Sequence, residues 1–239
     1  MDKRKIIFGT YDTAAHGWTL AGWALSPAEQ KTSYVSKPNG DGSWDLSTAL
    51  TDGILRYNDR ELTVTLELSE GTRMEREAVI RAMINDLDGE KVSIRLPDDD
   101  HHHVVGRLHV VREYNDLAHG AVTVTATCEP WKYADAETVV ELEATATTQH
   151  ATLHNSGKRA LLPLITVAGG PVRLTFGQPT RPVTINDSEE TVLTPAPTVE
   201  LKDGKDQRWA DLLLTRGAHA LAYSGAGTIR ITYREAVLE

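Results

Sequence analysis

The 239-residue sequence contains a single cysteine, Cys128, together with only three methionines and two phenylalanines. One cysteine cannot form a disulfide within the chain, which suits a protein that folds in a cytoplasm. The sequence has no run of 18 or more apolar residues, so it contains no candidate transmembrane helix. The N-terminal residues 1–8 carry charges but no apolar segment of useful length, so we expect no signal peptide.

Basic residues are fewer than acidic ones. The 25 Lys and Arg residues against 34 Asp and Glu residues give a formal net charge of −9. Since affinity for nucleic acid depends on neutralising phosphates with Lys and Arg, this charge argues against a nucleic-acid reader. It does not exclude a passive channel for DNA, whose wall must avoid binding its cargo. The 40% apolar content is enough for a packed core in one or two domains.

A turn-rich stretch at 37–60 precedes the clearest strand of the sequence. Pro38 fixes φ, and Gly40 and Gly42 permit positive φ, so we predict a turn there. Between residues 61 and 68, Leu and Val alternate with Glu and Thr. This period of two predicts a half-buried strand.

The period changes after residue 68. Thr72 and Glu75 have the spacing of a capping box, which marks the start of a helix. Gly89 stands where such a helix would end. One helical stripe contains Ile80, Met83, Ile84 and Leu87. We therefore predict a helix at about 73–88, inserted in an otherwise β-rich half of the chain.

Further strands are predicted on both sides of this helix. Simple alternation over 17–25 places Trp18 on one face and Trp23 on the other, which is typical of a strand buried twice or lying at an interface. Alternation over 121–128 predicts that Cys128 points into the core. Short strands separated by Gly and Pro turns continue to the end of the sequence and indicate a sandwich or jelly roll. We predict a domain boundary near residue 135.

Catalytic and metal-binding patterns are weak in this sequence. Adjacent histidines at 101–103 would point to opposite faces of a strand, so they cannot readily share a metal ion. The nucleophile elbow Gly-x-Ser-x-Gly is absent. Asp41 and Asp45 could form a glycosidase pair, but acidic residues beside glycine are far more often turn formers and caps. We expect no enzymatic activity, no metal and no cofactor.

The five tryptophans leave two interpretations open. They can stack on a sugar ring, or they can anchor a core or a subunit interface; the second role is the commoner one. Trp209 remains the candidate contact to a carbohydrate or a protein partner.

Several short motifs occur together in a fixed order. The turn Pro38-Asn-Gly-Asp-Gly42 leads through an Asp-Leu-Ser segment to Tyr57-x-x-Arg60 and a strand. Asp98–Arg107, Pro130-Trp-Lys132, Asn155-Ser-Gly157, Gly217–Leu221 and Gly227–Arg234 follow. In order and spacing these motifs resemble the distal tail proteins of long-tailed phages. The first glycine of the turn is one place late, and histidines and Trp131 stand where the family commonly has tyrosines.

This resemblance implies a mainly β chain with two domains. Residues 1–135 would form a barrel-like or sandwich domain with one helix, and residues 136–239 a galectin-like jelly-roll sandwich. The first domain would build a homohexameric ring at the distal end of the tail tube, join the tube to the tail-tip hub, and leave a lumen through which DNA passes without specific binding. The protein would assemble in the host cytoplasm and reside at the virion tail tip.

The resemblance also implies partners and contact residues. Besides copies of itself, the chain would contact the tail tube protein, the tail-tip hub or tail-associated protein, and either a receptor-binding protein or a cell-surface saccharide. The predicted subunit interface comprises Trp18, Trp23, Pro38, Gly40, Asp41, Gly42, Trp44, Tyr57 and Arg60.

Two alternatives stay open at this stage. One is a carbohydrate-binding module in which the jelly roll attaches to a host surface. The other is a different ring-forming subunit of the tail tube or of tail completion.

Overall fold

The computed structural model describes residues 5–51, 54–113, 120–170, 172–176, 182–185 and 213–239. The chain divides into two compact units, Met1–Tyr133 with Leu238–Glu239 and Ala134–Val237. Within the described ranges the elements are strands, one α-helix and a short 3₁₀ helix, so the predicted mainly β class is confirmed. No helix in these ranges is both long and apolar enough to span a membrane.

The first unit is built around one large sheet. The strands of this unit are β1 (Ile7–Phe8), β2 (Tyr11–Asp12), β3 (Thr19–Leu25), β4 (Tyr34–Ser36), β5 (Ser43–Asp45), β6 (Arg60–Leu68), β7 (Lys91–Arg95), β8 (His102–Glu113) and β9 (Gly120–Ala134). The 3₁₀ helix Ala14–His16 follows β2, and helix α1 (Arg73–Leu87) follows β6. The strand order is β2-β1-β7-β8-β9-β6-β3, while β4 and β5 form a separate two-stranded hairpin.

Strand β6 forms the centre of the first core. Its predicted alternation is confirmed, since Leu62, Val64 and Leu66 are fully buried between exposed or half-buried neighbours. Strand β9 pairs with β6 in antiparallel register, and Cys128 is buried on the same face as predicted. Burying one such Leu or Val side chain contributes about 1.5–3 kcal/mol.

Helix α1 begins with the predicted capping box. The Thr72 hydroxyl accepts a hydrogen bond from the Glu75 amide at 3.3 Å, and the Glu75 carboxylate accepts one from the Thr72 amide at 2.7 Å. The helix ends at Leu87, and Gly89 follows with φ of +82°, which suits glycine. Three residues of the predicted stripe are buried against the sheet: Ile80, Met83 and Leu87.

Strand β3 does not follow the predicted alternation. The register with β6 shifts between Leu20 and Gly22, so Ala21 is an extra residue, a β-bulge. The bulge reverses the alternation, and the residues on either side of it face the same core. Leu20 lies opposite Leu66, Trp23 opposite Val64 and Leu25 opposite Leu62. The prediction that Trp18 and Trp23 occupy opposite faces is therefore wrong.

The second unit contains two smaller sheets. Its strands are β10 (Thr138–Ala144), β11 (Gln149–Asn155), β12 (Leu164–Ala168), β13 (Val172–Phe176), β14 (Pro182–Ile185), β15 (Gly217–Gly225), β16 (Gly227–Tyr233) and β17 (Ala236–Val237). One sheet has the order β10-β16-β12 and the other β11-β15-β13-β14. Their shared core contains Leu153, Ile165, Leu174, Leu221 and Ile229.

Sequence alternation over 139–146 predicts a strand between the two halves of the chain. This strand is β10, which pairs with β16 along its whole length and so belongs to the second unit. The sequence also predicts a short strand at 191–193, which lies outside the described residues. The jelly-roll topology stays a prediction.

Gly106 offers a test of the first core. A Cβ atom added there would lie 2.6 Å from the Cys128 Sγ and 3.2 Å from the Thr127 carbonyl oxygen. We expect Gly106→Ala to lower the free energy of unfolding by about 1–3 kcal/mol, measured by urea denaturation. The double variant with Cys128→Ala should recover part of this loss, because the Sγ is gone. Strict additivity of the two single changes would contradict the packing described here.

Candidate assembly surface

The chain leaves the sheet between β3 and β6 as an extended arm, described over residues 26–51 and 54–59. At its base the arm is a two-stranded ribbon. The Lys31 amide donates to the Arg56 carbonyl oxygen at 2.8 Å, and the Asn58 amide donates to the Glu29 carbonyl oxygen at 2.8 Å. The ribbon thus continues the antiparallel pairing of β3 with β6 beyond the edge of the core.

The outer part of the arm is the hairpin of β4 and β5. In its register Val35 lies opposite Trp44. The turn between the strands lies where the sequence predicted it, but positive φ falls on Asn39 and Gly42 rather than on Gly40. Asn tolerates the left-handed region better than most residues, so Asn39 can adopt the positive φ that was expected at Gly40.

Asp45 closes the hairpin. Its carboxylate accepts a hydrogen bond from the Ser47 amide at 2.9 Å. Hydrogen bonds from the Ser47 side chain and backbone lower the pKa of Asp45. Asp45 therefore acts as a turn former, and its carboxylate is engaged within the arm.

The arm exposes six large apolar side chains. Every residue from 31 to 46 is exposed, so the hairpin has no core of its own. Leu50 is 98% exposed and Trp44 is 51% exposed. The exposed large apolar side chains of the arm are Tyr34, Val35, Trp44, Leu46, Leu50 and Leu55. An isolated two-stranded hairpin is marginally stable in water, and large apolar side chains that are exposed together often mark a binding surface.

Arg60 fixes the base of the arm. Its side chain is only 4% exposed. The Nε donates to the Ser26 carbonyl oxygen at 2.6 Å, and Nη1 donates to the Leu238 carbonyl oxygen at 2.8 Å. Burial lowers the pKa of Arg60, with the charge of Glu239 opposing that effect. In the single chain Arg60 is therefore an internal anchor between the two ends of the arm.

The predicted interface residues lie in three places: the tip of the arm, the base of the arm, and the core side of the sheet. Pro38, Gly40, Asp41, Gly42 and Trp44 lie together at the tip of the arm. Tyr57 lies at the base, where its ring meets Trp131 edge to face at a centroid distance of 5.2 Å.

Trp18, which directly precedes β3, and Trp23 within β3 both pack on the core side of the sheet. Trp18 is 3% exposed and donates from Nε1 to the Tyr11 hydroxyl at 3.0 Å. Trp23 is half-buried against the core cluster. Neither side chain contributes to the exposed surface of the arm. Trp209 lies outside the described residues, so its role as a carbohydrate or partner contact stays a prediction.

The sequence reasoning missed five apolar residues of this surface: Tyr34, Val35, Leu46, Leu50 and Leu55. They follow neither a helical nor a strand period over any useful length. Their position could have identified them. Large apolar residues in a turn-rich stretch with no predicted core have no buried face to occupy, so they are expected to be exposed.

The histidines at 101–103 occupy a turn and the start of β8. The Asp99 carboxylate accepts hydrogen bonds from the His102 Nδ1 at 2.9 Å and the His102 amide at 3.0 Å. Burial opposes ionisation of Asp99, but the hydrogen bonds from His102 and the His101 amide outweigh it and lower its pKa. His103 is buried beside the ring of Tyr133. In the part of the chain that the structure describes, no group of three His, Cys, Asp or Glu residues could hold a metal ion.

The fold is thus a β-rich chain of two units, the first of which exposes an apolar arm. No protein-family model matches the sequence, and no curated protein does either. Among solved structures, the chain is similar to the Dit protein (gp 19.1) of SPP1, described as a paradigm of the hub adsorption apparatus in phages that infect Gram-positive bacteria.

The similarity to SPP1 Dit extends over almost the whole of both proteins. It covers 96% of this chain and 98% of the other, with a TM-score of 0.63 and 16% sequence identity. The chain therefore has the Dit fold. This is the fold that the resemblance to distal tail proteins predicted.

Arg60 provides the test of how the arm is attached. Replacing Arg60 with Met would leave the partly buried carbonyl groups of Ser26 and Leu238 without their Arg60 donors. We expect Arg60→Met to lower the free energy of unfolding by about 1–3 kcal/mol in urea denaturation. The control is Arg56→Met, because Arg56 is exposed on the arm. Equal stability of the two variants would refute the anchoring role.

Proposed function

We propose that this chain is a structural protein of a long-tailed phage that forms a homohexameric ring at the distal end of the tail tube. The ring connects the tube to the tail-tip hub and leaves a lumen for DNA. The exposed apolar arm is the observation that carries the proposal, and the Dit fold supports it. The role is mechanical, and the chain performs no reaction.

Two features of the first unit favour assembly with further copies. The arm presents apolar side chains that a partner must cover. Strand β3 lies at the end of the strand order, so its outer edge has backbone donors and acceptors free to pair with another strand. The arm and the β3 edge are different surfaces. A contact that joins two different surfaces is heterologous, and it closes into a ring when the rotation between copies permits.

The remaining partners follow from this position. The two faces of the ring would contact the tail tube protein and the tail-tip hub or tail-associated protein. The second unit would carry a receptor-binding protein or contact a cell-surface saccharide. The net charge of −9 suits a lumen that lets DNA pass without holding it.

The ring proposal predicts the mass of the purified protein. Mass photometry should show one species of six times the 26.2 kDa chain mass, and electron microscopy should show rings with a central hole. The double variant Trp44→Glu with Leu50→Glu should be monomeric, because charges on the arm cannot be buried without partners. Its circular dichroism should match the wild type, since both residues are exposed.

A matched control adds the same charge elsewhere. Val139 and Thr152 are exposed on the second unit, so Val139→Glu with Thr152→Glu should leave the hexamer intact. A wild-type protein that stays monomeric at micromolar concentration would refute the proposal, as would an arm variant that still assembles. Micrographs of tails carrying labelled protein would separate the distal position from a tail-tube position.

A further inference from the structure

The turn at the tip of the arm contains the single Asn-Gly pair of the sequence, Asn39-Gly40. We propose that Asn39 is a site of spontaneous deamidation in the folded protein. The products are aspartate and isoaspartate at position 39. This proposal concerns the chemistry of the tip and does not depend on the ring.

Water is the one co-reactant that this chemistry requires, and asparagine is among the chemically labile residues. The backbone nitrogen of Gly40 attacks the Asn39 Cγ, its proton passes to the side-chain amide, and ammonia leaves as the Cγ–Nδ2 bond breaks. The new nitrogen–Cγ bond closes a succinimide ring. Water then opens this ring at one of its two carbonyl carbons. Breaking the bond to Cγ gives aspartate, and breaking the bond to the main-chain carbonyl carbon gives isoaspartate.

The attacking nitrogen is poorly shielded in the structure. The Gly40 amide donates to the Lys37 carbonyl oxygen at 3.4 Å, which is long for a hydrogen bond between these groups. Any residue other than glycine would place a Cβ atom beside this nitrogen, and glycine has none. Neither a strong hydrogen bond nor a side chain therefore stands between the Gly40 nitrogen and the Asn39 side chain.

The Asn39 side chain is free to move toward this nitrogen. It is exposed and makes no hydrogen bond to the part of the chain that the structure describes. Its backbone has φ of +61°, and Asn39 is the one non-glycine residue with positive φ in the described ranges. Rotation of this side chain breaks no contact, so the fold adds little to the barrier of the ring closure.

Asn155 shows how the same chain protects an asparagine. Asn155 is fully buried, and its Nδ2 donates to the carbonyl oxygens of Arg159 at 2.9 Å and Leu214 at 3.0 Å. The amide that would attack, that of Ser156, donates to the Glu235 carboxylate at 3.0 Å. Both the leaving group and the nucleophile are held, whereas at Asn39 neither is.

Two further asparagines provide intermediate cases. Asn58 is as exposed as Asn39 by class, but it precedes Asp59, whose side chain shields the following nitrogen. Asn85 is exposed on helix α1, where the next amide belongs to the hydrogen-bonded helical backbone. Asn39 therefore differs from Asn58 in the residue that follows it, and from Asn85 also in backbone structure.

Assembly through the arm leaves this site accessible. The exposed apolar side chains of the arm lie before and after the turn, and none belongs to residues 37–42. The turn itself is polar, with Lys37, Asn39 and Asp41. Covering the apolar side chains does not require covering the turn.

Either product changes the tip of the hairpin. Aspartate adds a negative charge beside Asp41. Isoaspartate lengthens the main chain by one carbon between Ser36 and Ser43, which pair across the hairpin. Since turn length fixes the register of a hairpin, the second product alters the pairing of β4 with β5.

Peptide mass spectrometry of the aged full-length protein tests the site. Samples held in neutral buffer would be acidified at intervals and digested, because replacing an amide with an acid raises the peptide mass and chromatography separates isoaspartate. We expect Asn39 to be converted roughly tenfold or more faster than Asn58 and Asn85, a ratio that a small difference in activation free energy provides. The rate should rise in mildly alkaline buffer, because the attacking nitrogen must lose its proton.

Equal rates at Asn39 and Asn58 would overturn the proposal. So would an Asn39 that is converted in urea but stays intact in the native protein, because the fold would then protect it. Mass photometry of the same native sample reports the ring separately, so the failure of one proposal is distinguishable from the failure of the other.

Gly40→Ala isolates the role of the missing Cβ atom. An added Cβ would lie 3.6 Å from the Lys37 Cβ, an ordinary contact, so the variant should fold like the wild type. It should slow conversion of Asn39 by roughly tenfold. The matched control is Gly22→Ala on β3, where an added Cβ meets nothing within 4 Å. An unchanged rate in Gly40→Ala, or equal slowing in Gly22→Ala, would contradict the inference.

Discussion

The core and the arm of the first unit differ in how far they bury their apolar side chains. The sheet and helix α1 bury their own apolar residues well, whereas the arm leaves six large apolar side chains in water. Their exposed fractions range from 40% to 98%, so burying the part of each side chain that is still exposed would contribute roughly 5–10 kcal/mol in total. Association costs several kcal/mol in lost freedom, and a sum of this size can exceed that cost. The core of the first unit therefore buries its own apolar residues, while the apolar side chains of the arm need a partner to cover them.

The fold keeps this arm in a defined place. Strand β6 lies at the centre of the core and also continues the arm, so the arm leaves the unit from a fully buried strand. Arg60 stands at that junction and bonds to carbonyl groups that are far apart in sequence, Ser26 and Leu238. These two hydrogen bonds tie the base of the arm to the C-terminal end of the chain. The base of the arm is therefore tied to the first unit, which suits the ring contact that we propose for it.

Local patterns predicted the local structure well. The capping box at Thr72 and the alternation in β6 depend on neighbours in sequence, and both are present in the structure. Strand β3 was misread because a bulge at Ala21 reverses its faces, and nothing in the alternation itself announces an extra residue. The hydrogen bond of Arg60 to Leu238 could not be predicted from local patterns, because Leu238 comes from the far end of the chain. The apolar residues of the arm were missed because a surface made by a non-periodic segment has no period to detect.

The central claim is that the apolar side chains of the arm are covered by another copy of the chain. Hydrogen–deuterium exchange of the hairpin amides, measured across a range of protein concentrations, tests it most directly. Amides of β4 and β5 should exchange rapidly in dilute protein and become protected as copies associate, while β6 stays protected throughout. Rapid exchange of the hairpin at every concentration, in protein whose core remains protected, would contradict the account.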